Sequence, residues 1–195
     1  MTKAGLQAYS QYLKGNKSAL NELVRIYSDA LTRYAYCYLN DSSAAEDIME
    51  ETFATLIVKR KLFQSEEHFH AYLYKVARNK SIDYLRRRRR ETPLSLFEEE
   101  PDFGNISGMA DLVAKDNTEE FILEQERSRT IALCMKQLPP HYREVLYLNY
   151  FEGFRIEEVC RIMKKNKKQV YNLLSRAKTA LRDIFLKEGI THEDL

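Results

Sequence analysis

The chain has 195 residues, 44% apolar and 31% charged, enough for one ordinary domain or two small ones, and unlike a fibre or a disordered tail. Its 31 Lys and Arg against 29 Asp and Glu leave a net charge of only +2, so preference for a charged partner must come from local blocks. Six glycines and four prolines are few for the turns of an all-β protein, and abundant Leu, Glu, Lys, Arg and Ala predict an all-α fold.

Helical periodicity first becomes regular after Gly15 and Asn16, where Leu20, Leu23, Val24, Tyr27, Leu31, Tyr34, Ala35 and Tyr38 form one apolar stripe. Asp41, Ser42 and Ser43 supply capping side chains for a second helix, with Ser43 and Glu46 spaced as a capping box. Its apolar side is Ala45, Ile48, Met49, Thr52, Phe53, Leu56 and Ile57. After a loop from about Lys59 to Ser65, a third helix carries Phe69, Tyr72, Leu73, Val76, Ala77, Lys80 and Tyr84 and runs into Arg86–Arg90. Three long helices with short connections predict a bundle.

From Glu91 to Glu120 the pattern breaks at Pro93, Pro101, Gly104 and Gly108, and nine acids face only Lys115. This reads as an acidic linker. Helix resumes near Asn117, with Phe121, Ile131, Met135 and Leu138 carrying it to Pro139. Pro140 opens the next helix, whose inner face is Tyr142, Val145, Leu146 and Tyr150, ending before Gly153. A short helix over Ile156–Met163 and a longer one from Asn166, with Val170, Leu173, Leu174, Ala177 and Leu181 inside, have helix-turn-helix proportions.

No run approaches the ~18 consecutive apolar residues of a membrane span, and Met1 to Tyr12 lacks the pattern of a signal peptide. A cytoplasmic chain without membrane insertion is expected. Cys37, Cys134 and Cys160 are far apart and not at metal-ligand spacing, so they are expected to be reduced, with no disulfide or zinc role. His68, His70, His141 and His192 are scattered, and there is no glycine-rich phosphate loop, no HExxH and no nucleophile with an evident base. No catalytic residue, metal or cofactor is expected.

Three charge blocks remain. Nine bases against Asp183 lie between Arg161 and Lys187, the sign needed to displace counterions from phosphates. Lys165, Asn166, Lys167, Lys168, Gln169, Tyr171, Asn172, Ser175 and Arg176 lie where a recognition helix begins. A solvated basic face is the plain alternative for a charge run; the surrounding helix pair favours DNA. Between Lys75 and Arg90 eight bases face Asp83 and are interleaved with tyrosines, a composition suited to unpaired bases and their phosphates. Tyr72 and Tyr84 sit on the apolar stripe, whereas Tyr74 and Asn79 are expected off it. Glu46, Asp47, Glu50 and Glu51 make two like-charged i, i+4 pairs, each costing a few tenths of a kcal/mol unless something basic faces them. Spacing alone favours neither a basic protein partner nor water.

The order of these features resembles the extracytoplasmic-function (group IV) sigma factors of the sigma-70 family, over roughly Asn16 to Lys187. Ala45-Glu46-Asp47-Ile48-Met49-Glu50-Glu51-Thr52-Phe53 resembles the family's AEDI-x-QETF segment. The stretch from Phe69 through Asn79 and Asp83 to Arg86 is similar to F-x-x-WL-x-x-IA-x-N-x-x-x-D-x-LR. Leu138-Pro139 with Arg143, Glu152-Gly153 and Glu157-Glu158-Val159-Cys160 match LP-x-x-x-R and EG-x-x-x-EEIA. This sequence has Tyr72 for the usual Trp, Arg155 for a capping Ser or Thr, Cys160 for Ala, and Lys164 for a turn glycine. Gln169 and Tyr171 replace the common Thr and Lys.

The resemblance implies two helical domains: residues 1–90 like sigma-2, an acidic linker over 91–117, residues 118–188 like sigma-4, and a tail over 189–195. It implies that Asp47, Glu50, Glu51 and Phe53 dock on the clamp helices of the polymerase β′ subunit. Lys59, Phe63, Tyr74, Lys75, Arg78, Asn79, Lys80, Arg86 and Arg87 would bind the downstream (minus 10) promoter element. The loop from Lys59 to Ser65 would join Asn79 around an extruded base, repaying an unstacking cost of a few kcal/mol. The recognition-helix residues from Lys165 to Arg176 would read the upstream (minus 35) element, the β flap would hold their domain, and an anti-sigma protein would hold the factor inactive. A stand-alone helix-turn-helix regulator and an α-helical adaptor with solvated basic faces are the alternatives from the residues alone. The first predicts tight duplex binding without polymerase, the second no salt-dependent affinity.

Overall fold

The computed structural model describes residues 4–39, 41–91 and 130–190; the linker, the helix start expected near Asn117 and most of the C-terminal tail lie outside the described residues. Among the described residues every regular element is helical. They are α1 (Ala4–Leu13), α2 (Ser18–Leu39), α3 (Ser42–Lys59), α4 (Glu66–Glu91), α5 (130–136), α6 (Pro140–Leu146), a π-helical turn (Tyr147–Phe151), α7 (Ile156–Met163) and α8 (Lys167–Lys187).

The first helix was not expected from the sequence. It buries only Gly5, Ala8 and Tyr9, too few large residues to make an apolar period. Glu66 anchors it, accepting from the Leu6 backbone N–H at 2.9 Å and from the Tyr27 hydroxyl at 2.9 Å. That placement puts a carboxylate against the free donors and positive dipole end of α1. Gly5 sits so close beneath Tyr27 that an added Cβ would lie 2.7 Å from a Glu66 oxygen, so only glycine lets the helices approach.

Helix α2 buries Leu23, Tyr27, Leu31, Tyr34 and Tyr38, the stripe read from the sequence. Helix α3 starts two residues earlier than a Ser43 cap would set it, because Asp41 accepts from the Ala44 N–H at 3.1 Å. It ends where Arg60 turns left-handed (φ 43°) and donates its N–H to Leu56. Helix α4 has 26 residues, about 39 Å at about 1.5 Å per residue. Its inner row, Phe69, Leu73, Val76 and Ala77, is buried in the bundle.

In the C-terminal half Pro140 opens α6 as expected. The π turn then shifts the register: Tyr147 and Leu148 are buried, whereas Tyr150, expected inside, is 56% exposed with Lys178 Nζ 5.2 Å above its ring. One extra residue per turn rotates the following side chains off the inner face. Helix α7 starts without a capping side chain at Arg155, and Glu158 compensates by accepting the Arg155 N–H at 2.7 Å. The turn to α8 passes through Lys164 in the left-handed region (φ 55°). Val159, Ile162 and Met163 are buried with Val170, Leu174 and Ala177, so α7 and α8 form the expected helix pair. Cys37 and Cys134 are buried, and Cys160 is half-buried.

The two halves share one core. Arg143, a member of the LP-x-x-x-R motif, is 2% exposed. Its guanidinium donates to the carbonyls of Met135 (3.0 Å), Lys136 (2.6 Å) and Leu138 (3.1 Å) and crosses to Cys37 near the end of α2 (3.1 Å). These are carbonyls at and beyond helix C-termini, where helical partners run out and the dipole is negative.

Candidate nucleic-acid interface

Helix α3 carries Asp47, Glu50 and Glu51 on its solvent face, together with Ala54 and Val58 at helical spacing. Val58 and the nearby Leu62 are 80% and 79% exposed, so the acidic ridge continues into an apolar end. The sequence reading missed these two residues; their only signal was that they fall outside the buried stripe. Lys80 Nζ reaches Glu51 at 2.7 Å, which answers one ridge charge within the chain. Phe53 was grouped with the ridge but is 5% exposed and belongs to the core. It supports the ridge from beneath, because the residue two positions from Glu51 points to the opposite side of the helix.

On α4 the arginines Arg86–Arg90 are all solvent-exposed, with Arg86 3.6 Å from Asp83. Lys59 is exposed, and Lys75, Asn79 and Lys80 are half-buried. The Phe63 ring lies tilted against Tyr72 at 5.0 Å and edge-on to Phe69 at 5.2 Å, and Lys61 Nζ sits 5.6 Å over Phe63 and 5.0 Å over Tyr72. A cavity of about 400 Å³ opens there, lined by Lys61, Phe63, His68, Tyr72, Lys75 and Arg161. Aromatic faces beside cations suit a base with its phosphate.

Two α4 residues do not stand where the spacing put them. Tyr74, expected off the apolar stripe, is fully buried and donates its hydroxyl to Glu152. Burial, together with the Glu152 charge, holds that phenol protonated well above the usual tyrosine range. Arg78 Nε lies 2.6 Å from Glu144 Oε1, with side-chain exposures of 17% and 3%, and the Tyr34 hydroxyl donates to the same oxygen at 3.2 Å. Burial works to lower the Arg78 pKa, but the hydrogen bond and charge of Glu144 more than offset it and keep the guanidinium ionised. The helix has a second inner face, His70, Tyr74 and Arg78, and that face meets the C-terminal half.

At the start of α8 the exposed side chains are Asn166, Lys167, Lys168, Gln169, Tyr171, Asn172, Ser175 and Arg176, with Lys165 half-buried. Asn166 and Gln169 form a reciprocal cap: Asn166 Oδ1 accepts from the Gln169 N–H at 2.8 Å and Gln169 Oε1 from the Asn166 N–H at 2.9 Å. Lys167 Nζ pairs with Glu157 at 2.6 Å, leaving Lys168, Asn172 and Arg176 as the outward polar row at helical spacing, with Tyr171 beside them. A shallow recess of about 250 Å³ runs along Lys165, Gln169, Asn172, Leu173 and Arg176. Among the described residues no group of acidic, His and Cys side chains is arranged to hold a metal, and no helix is long and apolar enough to cross a membrane.

Comparison with known proteins falls on the same two halves. The family model for sigma-70 region 2 matches residues 23–91, and that for sigma-70 region 4 matches residues 128–181. The chain is 28% identical over 173 residues to the ECF RNA polymerase sigma factor SigW of Bacillus subtilis, covering 88% of this chain and 91% of SigW. It is 26% identical over 176 residues to the RNA polymerase sigma-H factor of Pseudomonas aeruginosa, covering 90% of each. In fold it is similar to CnrH in complex with the cytosolic domain of CnrY, with a TM-score of 0.61 and 21% identity over 93% of this chain and 97% of that one. It is also similar to the sigma factor RpoE in complex with the anti-sigma factor NepR from Bartonella quintana, with a TM-score of 0.63 and 19% identity over 85% and 96% of the two chains. Two region matches in the family's order, with relatives aligned over nearly their full lengths, favour a sigma factor over the stand-alone regulator. The chain belongs to the sigma-70 family as an extracytoplasmic-function RNA polymerase sigma factor, an initiation factor and not an enzyme.

Proposed function

We propose that the chain recruits core polymerase through the α3 ridge and holds a promoter through α4 and α8. Asp47, Glu50 and Glu51 face the β′ clamp helices, with Val58 and Leu62 extending the contact. Lys59, Phe63, Lys75, Arg78, Asn79, Lys80, Arg86 and Arg87 serve the downstream element, and the cavity beside Phe63 takes an extruded base. Lys168, Tyr171, Asn172, Ser175 and Arg176 read the upstream element, Lys165 and Lys167 hold its phosphates, and Asn166 and Gln169 fix the helix start. Residues 1–90 and 118–188 are the two working domains, with residues 91–117 as their tether and the β flap as the second domain's dock. The protein acts in the cytoplasm under an anti-sigma partner. The observation that carries this reading is the separation of charge: one acidic and two basic faces, each solvent-exposed and each on a different helix.

Run-off transcription with purified core enzyme and a library of genomic templates tests it. Initiation at a discrete set of start sites, dependent on the chain, is expected. Failure across the library, or initiation independent of the chain, overturns the reading.

A further inference from the structure

We propose that the cavity between the α3–α4 loop, α4 and α7 is a binding site for a free nucleoside polyphosphate, with its base against Phe63 and Tyr72 and its phosphates among Lys61, Lys75 and Arg161. The inference rests on the reading that this cavity takes a base, and it adds a soluble ligand that the chain binds with no DNA or polymerase present.

Three elements build the site. His68, Tyr72 and Lys75 recur at four- and three-residue steps, so they share one face of α4. Phe63 comes from the loop before that helix, and its ring is tilted against Tyr72 with centroids 5.0 Å apart. Arg161 reaches the same wall from α7. The volume of about 400 Å³ falls within the roughly 300–1,000 Å³ of small-molecule sites.

Charge without a counterion selects the ligand. Arg78, Lys80 and Lys167 each meet a carboxylate at 2.6–2.7 Å. Lys61, Lys75 and Arg161 instead line one cavity that has no acidic residue in its wall, and among the described residues none of the three forms an ion pair. Converging cations repel one another, so a polyanion seated among them gains their attraction and removes that repulsion. Lys61 Nζ already stands over both rings, 5.6 Å from the Phe63 centroid and 5.0 Å from the Tyr72 centroid. A base that takes its place gives the rings a stacking partner while the ammonium turns to the phosphates. An inorganic polyphosphate leaves the rings unused, and a neutral aromatic leaves the cations unanswered. A strand supplies one charge per phosphodiester, whereas a nucleoside diphosphate ends on a phosphate carrying about −1.5 to −2, so the free nucleotide matches the cations more closely.

Titration calorimetry of the full chain tests the assignment, with the adenosine, guanosine, cytidine and uridine diphosphates in turn and their nucleosides and pyrophosphate as fragments. At least one diphosphate is expected to half-saturate the chain below about 1 mM and to bind about tenfold or more tightly than either of its fragments. Arg161→Gln is the diagnostic variant, because Arg161 is solvent-exposed and has no part in the proposed hold on promoter or polymerase. It should weaken the diphosphate about tenfold or more with helix content by circular dichroism unchanged, and Arg161→Lys, which keeps the charge, should recover most of the affinity. No saturation by any diphosphate at about 1 mM, a fragment that binds as tightly as its diphosphate, or undiminished affinity in Arg161→Gln each overturns the site. The base-pocket reading is judged separately by Phe63→Ala in run-off transcription. A reduced yield supports that reading even where no free nucleotide binds, and an undiminished yield fails it even where one does.

Discussion

Replacing Arg143 by methionine removes a side chain that binds carbonyls of both halves while keeping a chain of similar volume. Four carbonyls, those of Met135, Lys136, Leu138 and Cys37, lose a charged donor. Each hydrogen bond to a charged group is worth about 1.5–3 kcal/mol net, but acceptors near helix ends recover part of this from water once the site loosens. The loss of the buried charge's own desolvation cost also offsets some of it. The expected destabilisation is about 3–4 kcal/mol, which for a chain of this size lowers Tm by about 6–16 °C. Arg143→Lys keeps the charge but lacks the planar fork, and is expected to recover less than half of the loss. Thermal and urea unfolding followed by circular dichroism measure both. A methionine variant within about 1 kcal/mol of wild type would refute the idea that these carbonyls depend on the guanidinium.

Three further outcomes follow from local geometry. Lys164→Gly relieves a left-handed lysine at the helix-turn-helix turn (φ 55°) and should raise stability by about 0.5–1 kcal/mol, the strain removed less glycine's added chain entropy; a destabilised variant would mean that the lysine is not strained. His70 is buried, its Nδ1 is without a hydrogen bond, and Tyr27, Tyr74 and Phe154 surround its ring; burial pushes its pKa down to about 4. The unfolded chain takes up a proton near pH 6.5 that the folded chain refuses until far lower. Stability therefore falls as pH falls through that window, by about 2 kcal/mol at pH 5, and His70→Phe should flatten that part of the urea-unfolding profile; an unchanged slope would place the effect elsewhere. Lys168→Ala and Arg176→Ala should each reduce the salt dependence of duplex binding by about one counterion, and unchanged slopes would remove α8 from the DNA.

Much of the fold is legible in the sequence because α2, α3 and α4 each bury a stripe of large residues at helical spacing. Helix α1 is not, since glycine and alanine make close packing without an apolar signal. Tyr150 is misplaced by any straight-helix count, because the π turn that rotates it outward leaves no mark in residue type. The charge blocks of α4 and α8 and the acidic ridge could be read directly, as a solvated charged face needs no knowledge of what packs behind it. Phe53 could not be separated from that ridge by motif alone, although its place on the apolar stripe already pointed inward. Arg78 and Tyr74 mark the deeper limit. Their partners, Glu144 and Glu152, lie 66 and 78 positions away, and periodicity within one helix cannot reveal a second buried face whose counterpart belongs to another domain.

The most direct measurement is equilibrium binding of the full chain to purified core polymerase and, separately, to duplex DNA, before and after Asp47→Lys with Glu50→Lys. Both residues are exposed on α3. Close charge pairs at interfaces carry about 1.5 kcal/mol or more each, so polymerase affinity should fall about a hundredfold or more while duplex affinity stays within about threefold. Undiminished polymerase binding, or loss of both affinities together, would contradict a division of labour between an acidic polymerase face and two basic DNA faces.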